Sequence, residues 1–189
     1  MARLNRLVVA REPHLVCQSG HNRQPVFLAP EDQRLYLDAL REVARVHGVA
    51  IHAYALLATE CWLLATPQAA EGLGRMMQAL GRRYVTAFNR RYARTGTLWE
   101  GRYRATVIES EPWFRRCMVF VEGAPAREQL AHEHAWADAA PAPVSSAPHH
   151  LGSSTDPLIW DHAEFWALGN TPFEREAAAV CQTYLDAPS

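Results

Sequence analysis

The alternation of hydrophobic and polar positions along the chain predicts an α+β protein with the element order β-α-β-β-α-β-α. Short apolar runs predict strands at residues 14–19, 49–58, 61–66 and about 102–109. Apolar residues at helical spacing predict a helix from Pro30 to Gly48 and further helices over about 69–93 and 111–122. This order is typical of a ferredoxin-like fold, in which helices flank an antiparallel sheet.

The pattern changes near residue 137. Residues 137–157 are rich in Ala, Pro and Ser, which predicts a surface linker between a domain at 1–136 and a C-terminal extension at 158–189. The extension has enough apolar residues for one or two helices that pack back on the domain. Thr171, Pro172 and Glu174 supply an N-cap, a first-turn proline and an acid three residues after the cap, so a helix is expected to begin there.

Composition excludes several classes of protein. The chain has 189 residues, of which 49% are hydrophobic and 21% charged, values that belong to globular proteins and not to disordered chains. No apolar stretch approaches the ~20 residues of a membrane span, and no signal-peptide core follows the N-terminus. The four cysteines contain no Cys-x-x-Cys pair, which favours reduced thiols over a zinc knuckle. We therefore expect a cytoplasmic protein with no membrane association and no cofactor.

The net charge of −1 conceals a strongly uneven distribution. All 19 basic residues are Arg, and residues 75–108 carry eight of them with a single acid, a local net charge of +7. Residues 109–189 carry four Arg and twelve acids, a net charge of −8. A concentrated basic segment suggests a surface that faces a polyanion. The alternative at this point is a solvated helix face with no partner.

Three segments resemble a known family. They read Gly-His-Asn-Arg-Gln-Pro-Val-Phe at 20–27, His-Ala-Tyr-Ala-Leu-Leu at 52–57, and Asn-Arg-Arg-Tyr followed by Gly-Thr-Leu-Trp-Glu-Gly-Arg-Tyr within 89–103. With these segments the chain resembles the REP-associated tyrosine transposases, a branch of the single-tyrosine HUH transposases. The resemblance covers nearly the whole chain. It implies the ferredoxin-like fold of that family and DNA as the partner, in hairpin or single-stranded form.

The same resemblance implies where the family's catalytic groups should lie. In the family, a His-hydrophobic-His motif on a strand holds a divalent metal, a helical Tyr attacks a DNA phosphodiester, and an Asn or Gln one turn later completes the metal site. The alignment places Glu60 and Trp62 at the two His positions, Phe120 at the Tyr and Ala124 at the amide. All four functional groups are replaced, so the resemblance implies a catalytically inactive relative with no metal at this site.

Spacing along the basic segment suggests DNA contacts. Arg83, Arg90 and Arg94 fall seven and four residues apart, as on one stripe of a helix, and Arg75 and Arg82 form a neighbouring row. The candidate DNA contacts are Asn22, Arg23, Arg75, Arg82, Arg83, Arg90, Arg94, Arg102 and Arg104. Interleaved aromatic residues could stack on unpaired bases or lie in the core; they are Tyr84, Tyr92, Trp99 and Tyr103.

Two other functions stay open from the sequence. The scaffold could serve as a protein–protein interaction module, with its acidic tail covering the basic segment. It could also be an active DNA-cleaving transposase with a rebuilt site. Glu60 is then the available metal ligand, and one carboxylate without partners is a weak site. The His pairs at 132/134 and 149/150 lie in the polar tail, and we expect no metal there.

Overall fold

The computed structural model describes residues 7–130 and 140–167, together with residues 169, 171 and 174. The strands in these residues are β1 (His14–Ser19), β2 (Val49–Leu56), β3 (Glu60–Pro67), β4 (Arg104–Val107) and β5 (Val144–Ser145). The helices are α1 (Pro30–His47), α2 (Gly72–Arg91), α3 (Ser110–Glu122), α4 (Ala124–Leu130), α5 (Ala147–His150) and α6 (Ala163–Trp166). Among these helices, none is long and apolar enough to cross a bilayer.

The five strands form one antiparallel sheet in the order β4-β1-β3-β2-β5. The central pair is β1 and β3, in a register that sets Cys17 opposite Trp62 and Ser19 opposite Glu60. This sheet with its flanking helices confirms the predicted α+β, ferredoxin-like arrangement and its element order.

Two separate apolar layers cover the two faces of the sheet. Helices α1 and α2 pack on one face, in a core that contains Tyr36, Tyr84 and Phe88. Helix α3 packs on the other face through Phe114 and its apolar neighbours. Because alternate strand residues point to opposite faces, successive residues of β3 are divided between the two layers. The sheet therefore separates the side chains of α2 from those of α3.

Local signals place the ends of α1. Asp32 is fully buried, and its Oδ2 accepts hydrogen bonds from the amides of Leu28 and Ala29 at 2.9 and 3.0 Å, as a carboxylate at a helix N-terminus does. Gly48 ends the helix with φ of 61°, a left-handed conformation that favours glycine. Both ends follow the sequence prediction.

The chain after residue 140 differs from the expected surface linker. Val144–Ser145 pairs with β2 as an edge strand, and the side chains of Ser146 and His150 are buried. Further along, the amide of Trp160 donates to the carbonyl of Ile51 at 2.8 Å. The segment thereby satisfies the hydrogen-bonding groups on the open edge of β2, a requirement that Ala- and Pro-rich composition does not reveal. The domain boundaries at 136 and 157 stay a prediction.

The predicted helix start at Thr171 is present as two reciprocal hydrogen bonds. Thr171 Oγ1 accepts from the amide of Glu174 at 3.2 Å, and a Glu174 carboxylate oxygen accepts from the amide of Thr171 at 3.0 Å. This is a capping box. The predicted helix after it lies outside the described residues, as does the pair His132 and His134.

Candidate nucleic-acid interface

The four positions aligned with the family's catalytic groups meet in space. Glu60 and Trp62 extend from β3, Phe120 lies on α3 and Ala124 begins α4, and all four line one cleft of about 260 Å³. The remaining lining residues are Leu57, Thr59, Arg127 and Glu128. We call this the aromatic cleft. Residues far apart in sequence are thus brought together in the arrangement that the alignment implied.

Side-chain contacts inside the aromatic cleft are specific. Trp62 Nε1 donates to Glu60 Oε1 at 2.8 Å, and the rings of Trp62 and Phe120 meet edge to face with centroids 5.2 Å apart. The guanidinium carbon of Arg127 lies 4.2 Å from the centroid of Phe120, and the same guanidinium donates to the Phe120 carbonyl oxygen. Cys61 faces the opposite layer, where burial raises its pKa to about 12.

The chemistry of these four positions follows from their functional groups. Glu60 has a carboxylate, whereas an indole N–H, a phenyl ring and a methyl group are not metal ligands. Phe120 has no hydroxyl group at the position of the family's nucleophile. The four residues together therefore offer one ligating side chain and no nucleophile, while Trp62 and Phe120 offer aromatic surface.

A second cleft adjoins the first one. It has a volume of about 440 Å³ and is lined by Ser19, Asn22, Arg23, Thr59, Glu60, Glu100 and Arg104. We call it the arginine cleft. Thr59 and Glu60 line both clefts, so the two are neighbours that share these residues. Three of the predicted DNA contacts, from two distant parts of the chain, meet here.

The turn that carries Asn22 and Arg23 has an unusual backbone. Both residues have positive φ, 53° and 54°, which costs free energy for residues other than glycine. Hydrogen bonds from the amide of Gly20 to the Thr59 carbonyl at 2.7 Å and from His21 to the Leu98 carbonyl at 2.9 Å hold the turn. A Cβ at Gly20 would collide with the Gln24 carbonyl oxygen, so glycine is required there.

The arginines of α2 form a different surface from the one that spacing predicted. Helix α2 ends at Arg91, and Ala93 has a φ of 50°, so Arg94 leaves the helical stripe and lies over Phe88 instead. Arg83 forms an ion pair with Glu42 of α1 at 2.7 Å. The stripe of Arg83, Arg90 and Arg94 is therefore wrong, because α1 pairs with the first member and a turn removes the last.

The other α2 arginines are exposed. Arg75, Arg82 and Arg90 form no ion pair with a carboxylate of the described residues, and Arg102 is likewise exposed beside β4. These α2 side chains lie on the side of the sheet opposite α3. The basic segment thus divides into the outer face of α2 and the arginine cleft, and is not one continuous groove.

Three of the four interleaved aromatic residues have little exposed surface for stacking on bases. Tyr84, Trp99 and Tyr103 are buried, with 0, 5 and 8% of their surfaces exposed. Tyr92 donates its hydroxyl to Asp32 at 2.7 Å. Tyr84, Trp99 and Tyr103 therefore lie in the core, the second of the two alternatives, whereas stacking by the partly buried Tyr92 stays a prediction. Arg127 and the exposed ring of Phe120, which spacing did not single out as binding groups, take their place as candidates.

Sequence reasoning also missed a histidine–carboxylate cluster. His149 Nε2 lies 3.2 Å and His150 Nε2 3.7 Å from Asp161 Oδ1, and His150 Nδ1 bonds Glu122 of α3. Ligating atoms of His149, His150 and Asp161 lie within 4.8 Å of one another, as a metal site would require. The amide of Asp156 donates to His149 Nδ1 at 3.0 Å, which places the proton of neutral His149 on Nε2, facing Asp161. In this tautomer Nε2 of His149 is protonated and does not act as a metal ligand.

Comparisons with known proteins agree with this geometry at the level of the fold. No protein-family model matches the chain, and no curated protein matches it. A solved structure of a REP-associated tyrosine transposase bound to a REP hairpin aligns with a TM-score of 0.59 and 15% identity, over 86% of this chain and 92% of that chain. A candidate transposase from Deinococcus radiodurans aligns with a TM-score of 0.44 and 22% identity, over 70% and 96%.

The fold is that of a transposase. More particularly, it is the fold of a REP-associated tyrosine transposase, as the sequence resemblance implied.

Proposed function

We propose that this protein binds DNA, as a hairpin or a single strand, on a REP-associated transposase scaffold and without the family's strand cleavage. The observation that carries the proposal is the meeting of Asn22, Arg23 and Arg104 in one exposed cleft beside the former catalytic positions. The related fold, solved in complex with a REP hairpin, supports the choice of DNA as the partner.

The lining of the arginine cleft suits a nucleic-acid strand. Guanidinium groups bind phosphate oxygens through paired N–H donors, and the Asn22 side chain both donates and accepts. Glu60 and Glu100 line the same cleft and offer acceptors for the amino groups of base edges. A depression with both kinds of group favours an unpaired or looped strand, whose phosphates and base edges are both within reach, over a regular duplex.

The aromatic cleft supports the proposed absence of cleavage. Covalent catalysis by this family requires a hydroxyl at position 120 and a metal held by several ligands. Phe120, Trp62 and Ala124 supply neither a nucleophile nor a ligand, and the Glu60 carboxylate is bonded to the indole of Trp62. We therefore propose a binding protein and not an enzyme.

Fluorescence anisotropy with one labelled sequence, prepared as hairpin, single strand and duplex, tests this function. The affinity should be highest for the hairpin or single strand and should fall with salt, because bound Arg releases counterions. Replacing Arg23 and Arg104 together by Ala should flatten the slope of log K against log salt by about 1.5 to 2 units. The matched control is Arg41→Ala, an exposed arginine on α1 that pairs with Asp38.

Three outcomes would overturn parts of the proposal. No affinity for any of the three DNAs at low salt would remove DNA as the partner, and a protein–protein interaction module would take its place. An unchanged slope in the Arg23/Arg104 double variant would remove the arginine cleft as the binding surface. A covalent protein–DNA adduct formed with Mn²⁺ would show an active transposase.

A further inference from the structure

Phe120 departs from the burial pattern of its helix. Its helix neighbours Phe114, Met118 and Val121 have at most 3% of their surfaces exposed, whereas 42% of Phe120 is exposed. The ring lies at the opening of the aromatic cleft against the edge of Trp62. Trp62 and Arg127 thus hold the Phe120 ring in place while part of its surface stays open to a ligand.

The surroundings of the ring match the requirements of a nucleobase. The planar guanidinium of Arg127 lies over Phe120, and both aromatic rings and guanidinium planes are surfaces on which unpaired bases stack. Glu60, Thr59 and Glu128 line the polar side of the cleft and can meet base edges. A volume of about 260 Å³ corresponds to roughly nine water molecules, enough for one base.

Continuity with the arginine cleft indicates which molecule supplies the base. Thr59 and Glu60 line both clefts, so a strand with phosphates at Arg23 and Arg104 would place a neighbouring nucleotide beside Phe120. We propose that the aromatic cleft binds one unpaired nucleobase, stacked against Phe120, Trp62 and Arg127. The former catalytic site thereby becomes a base-binding site. This inference rests on the proposed DNA binding and adds the position at which a base is held.

The test varies the DNA before it varies the protein. A single-stranded oligodeoxythymidylate of about 12 nucleotides is compared with an abasic deoxyribose-phosphate strand of the same length. The wild-type protein should bind the base-containing strand about ten-fold more tightly, as stacking of one base predicts. Both strands should give the same salt slope, because stacking releases no counterions.

Variants at position 120 then test whether the Phe120 ring causes this difference in affinity between the two strands. Phe120→Ala should remove most of the ten-fold preference and leave the salt slope unchanged, and Phe120→Leu should behave like Ala because it has volume but no π-face. Phe120→Tyr retains the ring and should retain the preference. The matched control is Trp113→Ala, since Trp113 is 49% exposed on the same helix about 10 Å earlier and should have no effect.

The outcomes separate this inference from the proposed function. Equal affinity of the wild-type protein for the two strands, with a normal salt slope, would overturn base binding and leave DNA binding intact. A preference that survives Phe120→Ala would also overturn it. If Phe120→Ala instead changed the mass in sedimentation equilibrium and not the preference, the ring would belong to a dimer interface, and the inference would fail. If the wild-type protein showed no salt-dependent binding to either strand, the proposed function itself would be overturned.

Discussion

The indole nitrogen of Trp62 donates to a carboxylate oxygen of Glu60 at 2.8 Å, and these are the two residues that the sequence alignment sets against the metal-binding histidines of the REP-associated transposases. Through this bond the Glu60 carboxylate is turned toward the indole N–H of Trp62. Among the four aligned positions a divalent ion would find only this carboxylate as a ligand, and it would compete there with the indole N–H. We therefore expect no binding of Mg²⁺ or Mn²⁺ in the micromolar range by isothermal titration calorimetry. Micromolar binding that Glu60→Gln abolishes would contradict this prediction.

Catalysis should not return with the nucleophile alone. Phe120→Tyr restores the hydroxyl but leaves the metal site without ligands, so we expect no covalent DNA adduct on denaturing gels with Mn²⁺. Changing Glu60→His, Trp62→His, Phe120→Tyr and Ala124→Asn together should give weak cleavage, because all four side chains line one cleft. Adduct formation by Phe120→Tyr alone would mean that other residues hold the metal.

The outer face of α2 offers a separate test of phosphate contact. Arg75, Arg82 and Arg90 are exposed without ion pairs to described carboxylates, so replacing all three by Ala should flatten the salt slope by about two to three units. Arg83→Ala is the control, since Glu42 already pairs with Arg83, and its effect should be close to zero, against about 0.7–0.9 unit for one lost phosphate contact. An unaltered slope in the triple variant would confine DNA contact to the arginine cleft.

Stability should fall in mild acid because of His52. Burial lowers the pKa of His52 to about 4 from 6.5, while its Nδ1 bonds the Trp160 carbonyl and its Nε2 bonds Thr66. The unfolded chain therefore binds a proton between these pH values that the folded chain does not. The preference of the folded chain for neutral His52 therefore stabilises it fully above pH 6.5, and this stabilisation decreases as the pH falls toward about 4.

The measurement is urea denaturation at about pH 7 and pH 5, where His52 alone should account for a loss of about 2 kcal/mol. Burial lowers the pKa of His14 and His162 as well, so they add in the same direction. His52→Gln should reduce the pH dependence, whereas His21→Gln, at an exposed position, should not. An identical pH dependence in wild type and His52→Gln would contradict this assignment.

The segment after residue 140 should be part of the stable unit. Ser146 is 1% exposed; its Oγ accepts from the amide of Tyr54 at 3.0 Å and donates to Glu122. Ser146→Ala leaves the buried Tyr54 amide without this bond, while Glu122 keeps its bond to His150, so the free energy of unfolding should fall by about 1–3 kcal/mol. Thermal unfolding measures the effect, with the exposed Ser153→Ala as control. Equal melting temperatures for both variants would mean that the segment does not stabilise the domain.

Because the segment is attached to the sheet, a variant that lacks it would lose stability as well as the acidic tail. Deleting the chain from Asp138 onward removes β5 and the contacts to Tyr54 and His52, so it tests stability and not only masking by an acidic tail. In the described residues, the acids of this segment contact its own histidines and β2. The ion pairs of α2 come from α1 instead.

The sequence by itself determined the secondary structure and the register of the positions that align with the family's catalytic groups. Strand alternation placed Glu60 and Trp62 on one face with Cys61 on the other, and helix periodicity with local capping residues gave the ends of α1. These features depend on residues that are close together in the chain, so hydrophobic patterns with periods of 2 and 3.6 residues reveal them.

Only the tertiary structure decided which groups share a surface. Spacing could not show that Glu42 would pair with Arg83, that the sheet would separate α2 from α3, or that the open edge of β2 would recruit residues 144–145. It likewise could not show that Trp99 would be buried while Phe120 remained exposed. These outcomes depend on packing between segments distant in sequence, because exposure is a property of what lies opposite a side chain and not of its neighbours along the chain.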